Sequence, residues 1–362
     1  PKARGFNNTN RVQSIVASQH LARRALLASD LLAVIVPAVY AWAPYRPDET
    51  DGVAGMGWII EEFCYGVKLY HGVFNSLSID AKKDAISQMA DIFACVQSVK
   101  LPAGVTKFGG LTFDEHGHIA DGQMPILPGG PWTTYAEVWR ASIRTELEHS
   151  EEEGAVTAGW RANGVRDRIE EFIADGGVER MLSRVDVGQR VLVHGDFSMQ
   201  NMLFSEKWNH ITALLDFDFA CVTHPCHEFF GGIYGSLVPR DHELLQEAVW
   251  SGVFDPALEG LSDEEKEMWE VAKAWDDELA SLGLVRPSQT AGKDGLRDLN
   301  ELLALLCPRI LDYPMCMKRL SKGGVHGKTR AEIEAKIAET LDKNGVKIVE
   351  ILEKWKADCH SP

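Results

Sequence analysis

The residues best suited to chemistry lie in the segment His194-Gly195-Asp196 and at two later positions, Asn201 and Asp216. Asn201 comes five residues after Asp196, and an apolar stretch separates it from Asp216. A carboxylate at the end of a buried strand can orient and deprotonate an attacking hydroxyl in phosphoryl transfer. An amide oxygen and a second carboxylate are hard ligands that suit Mg²⁺ beside phosphate oxygens. The pattern therefore predicts Asp196 as base or orienter, with Asn201 and Asp216 as magnesium ligands.

Two neighbouring residues are assigned supporting roles. His194 is predicted to be a buried hydrogen-bonding residue that braces the loop, rather than a general base. Asp218 lies two residues after Asp216 and shares its face if the strand continues. Asp218 is therefore either a second metal contact or a structural hydrogen-bond acceptor, and the structural role is favoured.

Two other patterns match ligand sites less well. The run from Cys221 to His227 contains four side chains that can bind soft metals. No second pair of ligands lies at a familiar spacing, so ordinary structure is favoured over a zinc site. Residues 323–329 (GGVHGKT) fail the count of a P-loop, because that motif needs a glycine where Lys322 stands.

The elements before this segment are predicted to be one helix and two strands. A helix over residues 12–29 has a mostly apolar face made of Ile15, Gln19, Ala22 and Leu26. Residues 34–42 are typical of a strand with Pro37 at its beginning or edge. After a turn over residues 46–57, residues 58–63 (WIIEEF) form the second predicted strand.

The rest of the chain is predicted to be mainly helical. Helices are expected over residues 79–99, 135–153, 165–184 and 240–356, the last interrupted by a loop near 287–293. Asp80 is expected to cap the first of these helices, whose buried face holds Ile86, Met89, Ala90 and Phe93. Residues 102–131 are rich in Gly and Pro and indicate a loop. Two or three short strands over residues 190–221 carry the predicted catalytic residues.

Composition restricts the class of partner. The chain has 362 residues, with 37 Lys and Arg against 53 Asp and Glu, for a net charge of −16. This acidity disfavours nucleic acid and anionic membrane surfaces as partners. Seven scattered cysteines indicate reduced thiols in a cytoplasmic protein. The most apolar stretch is interrupted by Asp30 and Pro37, and neither a membrane span nor a secretory signal is expected.

The segment HGDFSMQN, followed by LLDFDFA, resembles the aminoglycoside phosphotransferase family of small-molecule kinases. That family carries H-G-D-x-x-x-x-N where protein kinases carry H-R-D-x-K-x-x-N. Gly195 stands in place of the Arg, and Ser198 in place of the Lys. The resemblance therefore favours a small-molecule acceptor over a peptide. Glu228 stands where many members have a structural Asp, which implies a carboxylate that braces the loop.

The resemblance implies an α+β, two-lobed, protein-kinase-like fold. Residues 1–63 would form a small partial N-lobe, with a sheet and one helix, that ends in the hinge strand. Residues 64–362 would form a large, mainly helical C-lobe, with a catalytic β-hairpin within residues 190–221 and a helical substrate-binding region. In the hinge, backbone groups of Glu61, Glu62 and Phe63 would contact the adenine of ATP.

The resemblance also assigns the phosphate contacts. A family member has a Gly-rich phosphate loop before its first helix, on strands that this sequence does not include. The lysine that contacts the phosphates would fall near Lys2, with Arg4 as the alternative. The first helix should present a Glu to that lysine, but residues 12–29 contain no acidic residue and Gln19 stands on the expected face.

The function predicted from the sequence is ATP- and Mg²⁺-dependent phosphorylation of a hydroxyl on a small molecule. Acid clusters at residues 146–153, 263–267 and 276–278 are interpreted as solvated helix faces. The lesser alternative is that one of them, with Trp275, lines a site for a cationic acceptor such as an amino sugar or amino alcohol. The alternative is a pseudokinase that binds nucleotide or a partner without turnover, motivated by Gln19 and the missing loop. A protein kinase is the third hypothesis.

Overall fold

The computed structural model describes residues 10–29, 35–45, 56–125, 127–152, 158–161, 163–207, 209–238, 242–255, 260–306 and 330–357. The chain divides into two compact units, one of residues 1–135 and 186–290 and the other of residues 136–185 and 291–362. The lobe boundary predicted after Phe63 lies inside the first unit and stays a prediction. Lys2, Arg4 and the segment 323–329 lie outside the described residues.

The first unit begins with a helix and a β-hairpin. Helix α1 (Arg11–Ala28) is followed by strands β1 (Val39–Tyr45) and β2 (Met56–Glu61), which pair antiparallel. The predicted apolar face of α1 is confirmed, because Ile15, Gln19, Ala22 and Leu26 are all buried. The strand predicted over residues 34–42 is wrong at its start: β1 begins at Val39, two residues after Pro37, whose missing N–H cannot join a ladder of hydrogen bonds.

A short strand and two helices follow, β3 (Val67–Lys68), α2 (His71–Ser76) and α3 (Ile79–Gln97). The predicted buried face of α3 is confirmed. Its predicted cap is wrong: Ser78 is the N-cap, and its hydroxyl accepts a hydrogen bond from the Ala81 amide at 3.3 Å. Asp80 lies in the first turn instead, where its charge favours the positive end of the helix.

The prediction of a loop over residues 102–131 is wrong in part, because this stretch contains the hairpin of β4 (Gly110–Phe113) and β5 (Ile119–Gly122). Gly110 is needed for close backbone approach: a Cβ there would lie 2.1 Å from the Gln123 carbonyl oxygen. The glycines that indicate a loop in the sequence are in fact the residues that let two strands meet.

Three short strands lie within residues 190–221, as predicted, and a fourth begins at Cys221. They are β6 (Val191–Val193), β7 (Met202–Ser205), β8 (His210–Leu214) and β9 (Cys221–Thr223). Strand β7 lies between β3 and β8, and β6 pairs antiparallel with β9. The loops after β6 and β8 therefore belong to two separate antiparallel pairs within the first unit.

Three helices complete the first unit, α7 (Gly232–Leu237), α8 (Glu243–Ser251) and α9 (Asp263–Ser281). Helix α9 starts with a capping box between Ser262 and Glu265. Trp275 of α9 is buried, with its ring centroid 5.6 Å from that of Phe93 and 6.5 Å from that of Phe197. These aromatic contacts join α9, α3 and the loop after β6 in the core of the first unit.

The second unit is helical over its described residues. It consists of α4 (Tyr135–Glu152), α5 (Val165–Ala174), α6 (Gly177–Met181), α10 (Lys293–Leu306) and α11 (Arg330–Ala357). The single helix predicted over residues 165–184 is wrong, because Gly176 adopts φ 74° and separates α5 from α6. Within the described parts of the chain, no helix combines the length and apolar character needed to cross a membrane.

Candidate active site

The turn after β6 depends on a glycine. Gly195 has φ 78°, and a Cβ there would lie 2.3 Å from the carbonyl oxygen of Phe219. Because no side chain fits in that space, residues 194–196 can pass directly against the 3-10 turn of residues 217–219. This close approach explains why Gly stands at position 195 in structural terms.

Asp196 and Asn201 are brought into direct contact. The Asn201 side-chain nitrogen Nδ2 donates to the Asp196 carboxylate oxygen Oδ2 at 2.8 Å and to the Asp196 carbonyl at 2.9 Å. Asn201 lies in a 3-10 turn, and its own amide donates to the Ser198 carbonyl at 3.0 Å. Since Nδ2 is used inside the loop, the amide oxygen Oδ1 is the end of Asn201 that remains for an electropositive ligand.

Asp216 lies beside this pair through the backbone. The Leu215 amide donates to the Asn201 carbonyl at 2.8 Å, which places the two predicted metal ligands on adjacent stretches of chain. Asp216 is exposed and adopts φ 68° and ψ 66°, a left-handed conformation that Asp tolerates better than most residues. The structure thus brings Asp196, Asn201 and Asp216 to one loop cluster.

His194 is buried beneath the cluster and is held at both ring nitrogens. Nδ1 accepts a hydrogen bond from the Asp196 amide at 3.3 Å, and Nε2 lies 3.0 Å from the Leu215 carbonyl, to which it must donate. Burial lowers the pKa of His194 to about 4, so the ring is neutral with its proton on Nε2. A ring with both nitrogens engaged in this way braces the two loops and has no nitrogen left to act as a base.

We expect His194→Gln to reduce the loss of stability in acid. In the unfolded wild type the His194 ring is protonated below about pH 6.5, whereas in the folded protein its pKa is about 4. The free energy of unfolding therefore falls as the pH falls from 6.5 to 4. Between pH 7 and pH 5 the wild type should lose about 2 kcal/mol that the variant keeps. Urea unfolding at both pH values measures this difference. The exposed His116→Gln is the control, and an equal pH slope for His194→Gln and wild type would contradict the prediction.

Glu228 holds the turn that contains Asp196 through hydrogen bonds to its backbone. Its carboxylate accepts from the amides of His194 at 2.9 Å, Gly195 at 3.0 Å and Phe197 at 3.4 Å. The side chain is buried, and this burial raises its pKa to about 7, although the three amide donors act in the opposite direction. The contacts are those of a loop-bracing carboxylate. Ser198 is also buried, at the start of the 3-10 turn that contains Asn201.

Asp218 faces a cation from α1. Its carboxylate oxygen Oδ2 accepts a hydrogen bond from the Arg11 guanidinium nitrogen Nη2, forming an ion pair. This contact is a structural hydrogen bond of the kind favoured for Asp218. Sequence reasoning missed Arg11, although a cation in the first turn of a helix that has no acidic residue there is an unusual signal.

The end of β2, the predicted hinge strand, is tied to α1 by side chains. Gln19 donates from Nε2 to the Pro37 carbonyl at 3.0 Å and to Glu61 Oε2 at 3.1 Å. Glu62 Oε2 accepts from Arg23 Nη1 and from the Ala38 amide, both at 3.0 Å. Gln19 therefore contacts the end of β2. Its expected partner Lys2 lies outside the described residues, so that pairing stays a prediction.

Phe63, the last predicted hinge residue, is 77% exposed, and its ring meets that of Tyr65 edge-on with centroids 4.9 Å apart. The amide of Glu62 donates to the Ala38 carbonyl at 2.8 Å. The hinge therefore ends in an aromatic pair at the surface, directly after a backbone donor that is already used within the sheet.

The run from Cys221 to His227 is part of the core. His224 Nδ1 accepts from the Cys226 amide at 3.2 Å, and the His224 ring stacks on Tyr135 with centroids 5.1 Å apart. Burial raises the pKa of Cys226 to about 12, so its sulfur is held as a thiol. The side chains of this run serve packing and turn formation.

The candidate cation site at Trp275 is not formed. Trp275 packs inside the aromatic core, and the neighbouring Asp276 pairs with Arg286 at 2.7 Å. In the second unit, a cavity of about 610 Å³ between α4 and α5 combines three arginines with two glutamates. Its lining residues are Arg140, Arg144, Leu147, Glu148, Arg166, Glu170, Ile173 and Ala174. The charges of this cavity are mixed rather than acidic.

Comparisons with solved structures find low sequence identity over most of the chain. A complex of APH(2″)-IIa with gentamicin is 15% identical, with 93% of this chain and 81% of that chain covered and a TM-score of 0.43. A thermostable mutant of aminoglycoside phosphotransferase APH(4)-Ia is 14% identical, with coverage of 94% and 85% and a TM-score of 0.41. A ternary complex of APH(2″)-IIa with streptomycin and ATP is 13% identical, with coverage of 92% and 83% and a TM-score of 0.42. No curated protein matches the chain.

The family comparison covers well over half of the chain. The sequence model of the phosphotransferase enzyme family, APH, matches residues 11–275. This match includes α1, the predicted hinge strand β2, the loop cluster of Asp196, Asn201 and Asp216 and most of α9, and it also spans α4, α5 and α6 of the second unit. The resemblance drawn from the sequence and the α+β, kinase-like fold class that it implied are therefore confirmed. The chain belongs to the phosphotransferase enzyme family.

Proposed function

We propose that this protein transfers the γ-phosphoryl group of ATP, in the presence of Mg²⁺, to a hydroxyl of a small molecule in the cytoplasm. The observation that carries the proposal is the contact between Asp196 and Asn201 beside Asp216. A carboxylate, an amide oxygen and a second carboxylate in one loop cluster are what phosphoryl transfer requires. Family membership supports the reaction class.

Asp196 is the proposed catalytic residue. Asn201 holds its Oδ2, which fixes the plane of the carboxylate towards the acceptor. As the acceptor oxygen forms its bond to the γ-phosphorus, the bond from that phosphorus to the leaving ADP oxygen breaks and the hydroxyl proton passes to Asp196. In this proposal Asp196 accepts the proton, and His194 holds the loop that contains Asp196.

Asn201 and Asp216 fit the needs of Mg²⁺. Asn201 keeps its amide oxygen for a ligand, and Asp216 presents an exposed carboxylate beside it. Both are oxygen donors, the type that Mg²⁺ prefers, and the small number of protein ligands leaves coordination positions for phosphate and water. When bound there, Mg²⁺ neutralises charge on the phosphate oxygens.

The adenine contact is proposed at the hinge backbone of residues 61–63. The Glu62 amide donates to the Ala38 carbonyl within the sheet. The Glu62 carbonyl and the Phe63 amide are therefore the backbone groups that we propose for hydrogen bonds to adenine. The side chains of Glu61 and Glu62 are engaged by α1 and serve to hold this backbone. Lys2 stays the proposed phosphate contact.

The proposed acceptor is a small molecule, since Ser198 is buried where a protein kinase would present a lysine. A net charge of −16 favours a cationic acceptor such as an amino sugar or amino alcohol, because an acidic protein attracts cations. The pseudokinase is the second candidate, favoured by one observation. Gln19 is buried and donates to Pro37 and Glu61, so α1 places a neutral amide where an active kinase places a carboxylate.

An assay of ATP consumption over a panel of amino sugars, amino alcohols and sugars tests the proposed function. With Mg²⁺ the wild type should convert ATP to ADP together with at least one acceptor, and the phosphate should appear on an acceptor hydroxyl. Asp216→Asn should lower Mg²⁺-dependent ATP affinity by about a hundredfold, because it removes a charged metal ligand. ATP binding measured by calorimetry without any turnover would favour the pseudokinase, and labelled protein substrates would favour a protein kinase.

A further inference from the structure

We infer that Arg11 and Asp218 are a positioning pair that fixes the loop of Asp216 against the first turn of α1, and that Asp218 serves this contact rather than a second metal ion. The inference rests on the proposed function, because the position of Asp216 matters only if that residue holds Mg²⁺. Nothing in the family match assigns a role to Arg11, which is the first residue of both α1 and the matched range.

Arg11 stands where a cation is unfavourable. The N-terminus of a helix carries partial positive charge, and no acidic residue lies in the first turn of α1 to offset it. Asp218 supplies the missing negative charge from a distant part of the sequence. The two side chains are 37% and 21% exposed, so the pair is partly withdrawn from solvent and is screened less than a surface pair.

The first turn of α1 is held in place by hydrogen bonds, so the backbone of Arg11 has a fixed position. Asn10 Nδ2 donates to the carbonyls of Leu111 and Gln123, both at 2.9 Å. Ser14 Oγ accepts from the Leu111 amide at 3.2 Å. These contacts tie residues 10 and 14 to the β4–β5 hairpin on either side of Arg11. A hydrogen bond from Arg11 therefore fixes its acceptor relative to the hairpin as well as to α1.

The loop of Asp216 needs such support. A non-glycine residue in a left-handed conformation stays there only where its surroundings hold it. Phe217 is buried with its ring centroid 4.7 Å from that of His194, and Phe219 lies against Gly195. Asp218, between these two, is held by Arg11. Residues 217–219 are thus anchored one after another, which leaves the preceding residue with a defined orientation.

The alternative role of Asp218, as a second metal ligand, predicts the opposite response to loss of Arg11. A guanidinium and a metal ion compete for the same carboxylate, so removal of Arg11 would free Asp218 and strengthen metal binding. In the positioning role, removal of Arg11 loosens the loop and weakens metal binding at Asp216. The sign of the Arg11→Ala effect therefore separates the two roles.

A double-mutant cycle on ATP binding tests the pair. Calorimetry measures ATP affinity with Mg²⁺ and with EDTA for the wild type, Arg11→Ala, Asp218→Asn and the double variant. Each single change should weaken Mg²⁺-dependent affinity by about tenfold, and the double variant should be no weaker than either, because both remove the same contact. Affinity in EDTA should not change. Arg11→Lys, which keeps the charge, should recover part of the loss.

The control is the exposed pair Lys273 and Asp277 on α9, whose variants Lys273→Ala and Asp277→Asn should leave ATP affinity unchanged. If the double variant binds ATP with Mg²⁺ about a hundredfold more weakly than the wild type, the two residues act independently and the inferred pair is wrong. Tighter Mg²⁺-dependent ATP binding by Arg11→Ala would also contradict the inference. If Arg11→Ala does not fold, Arg11→Lys and Asp218→Asn carry the test. A wild type without any Mg²⁺-dependent ATP binding would instead overturn the proposed function itself.

Discussion

Asp196→Asn is expected to lower phosphoryl transfer by about a thousandfold, within the range that general-base catalysis supplies. The amide has the size of the carboxylate, and its oxygen can still accept from Asn201 Nδ2, so the loop should keep its shape. It cannot take the proton of the acceptor hydroxyl. Affinity for ATP with Mg²⁺ should therefore stay within about threefold of the wild type, and the loss should appear in kcat.

The measurement is the rate of ADP formation with the best acceptor found for the wild type, beside the ATP affinity from calorimetry. Glu206→Gln is the matched control, since Glu206 is an exposed carboxylate in the nearby turn between β7 and β8. Asp196→Ala adds a second comparison, because it also removes the partner of Asn201 and should disturb ATP binding more. Retained turnover in either Asp196 variant would exclude the proposed mechanism.

Glu228→Gln is expected to destabilise the protein and to lower turnover together. The carboxylate receives three amide donors on two oxygens, whereas glutamine offers one oxygen and places an NH₂ group against an N–H. Leaving a buried donor without an acceptor costs about 3 kcal/mol of unfolding free energy. The turn of residues 194–197 should then move, with a loss of about a hundredfold in kcat.

The pH dependence of this variant has a definite sign. Burial raises the pKa of Glu228 from 4.5 to about 7, so in the wild type its ionisation costs stability as the pH rises through this interval. The stability gap between wild type and Glu228→Gln should therefore be widest near pH 5 and narrow by about 2 kcal/mol by pH 8. Urea unfolding at both pH values measures the gap. Glu228→Asp, which keeps two acceptor oxygens, should retain more activity, and equal defects in the two variants would contradict the bracing role.

Periodicity in the sequence predicted the elements that bury one apolar face. The buried faces of α1 and α3 follow from side-chain spacing, which is a local property. The β4–β5 hairpin was missed because Gly110 indicates a break locally, while its role is to admit a backbone from twelve or so residues away. Local rules cannot distinguish these two uses of glycine.

The candidate site likewise contains residues that local spacing predicts and contacts that it does not predict. Asp196, Asn201 and Asp216 were predictable because they are close in sequence: a 3-10 turn separates Asp196 from Asn201, and the short β7–β8 hairpin separates Asn201 from Asp216. The structure brings them to one loop cluster. The pairing of Arg11 with Asp218 joins residues that are 207 positions apart, and no spacing indicates it. Trp275 was a candidate for cation binding, yet it lies in the core. Aromatic side chains on a helix have the same pattern whether they face a ligand or other rings.

Helix α1 is bonded at both ends to the parts of the first unit that would meet the two ends of a nucleotide. Arg11 contacts Asp218 in the loop proposed to hold Mg²⁺, and twelve residues later Arg23 contacts Glu62 at the proposed hinge. At a rise of about 1.5 Å per residue these two attachments are about 18 Å apart along the helix axis. Because an α-helix does not stretch, α1 sets the distance between Asp218 and Glu62 along its axis. A single residue inserted between Arg11 and Arg23 would turn one of these arginines by about 100° away from its partner, so the two contacts require a helix of this length.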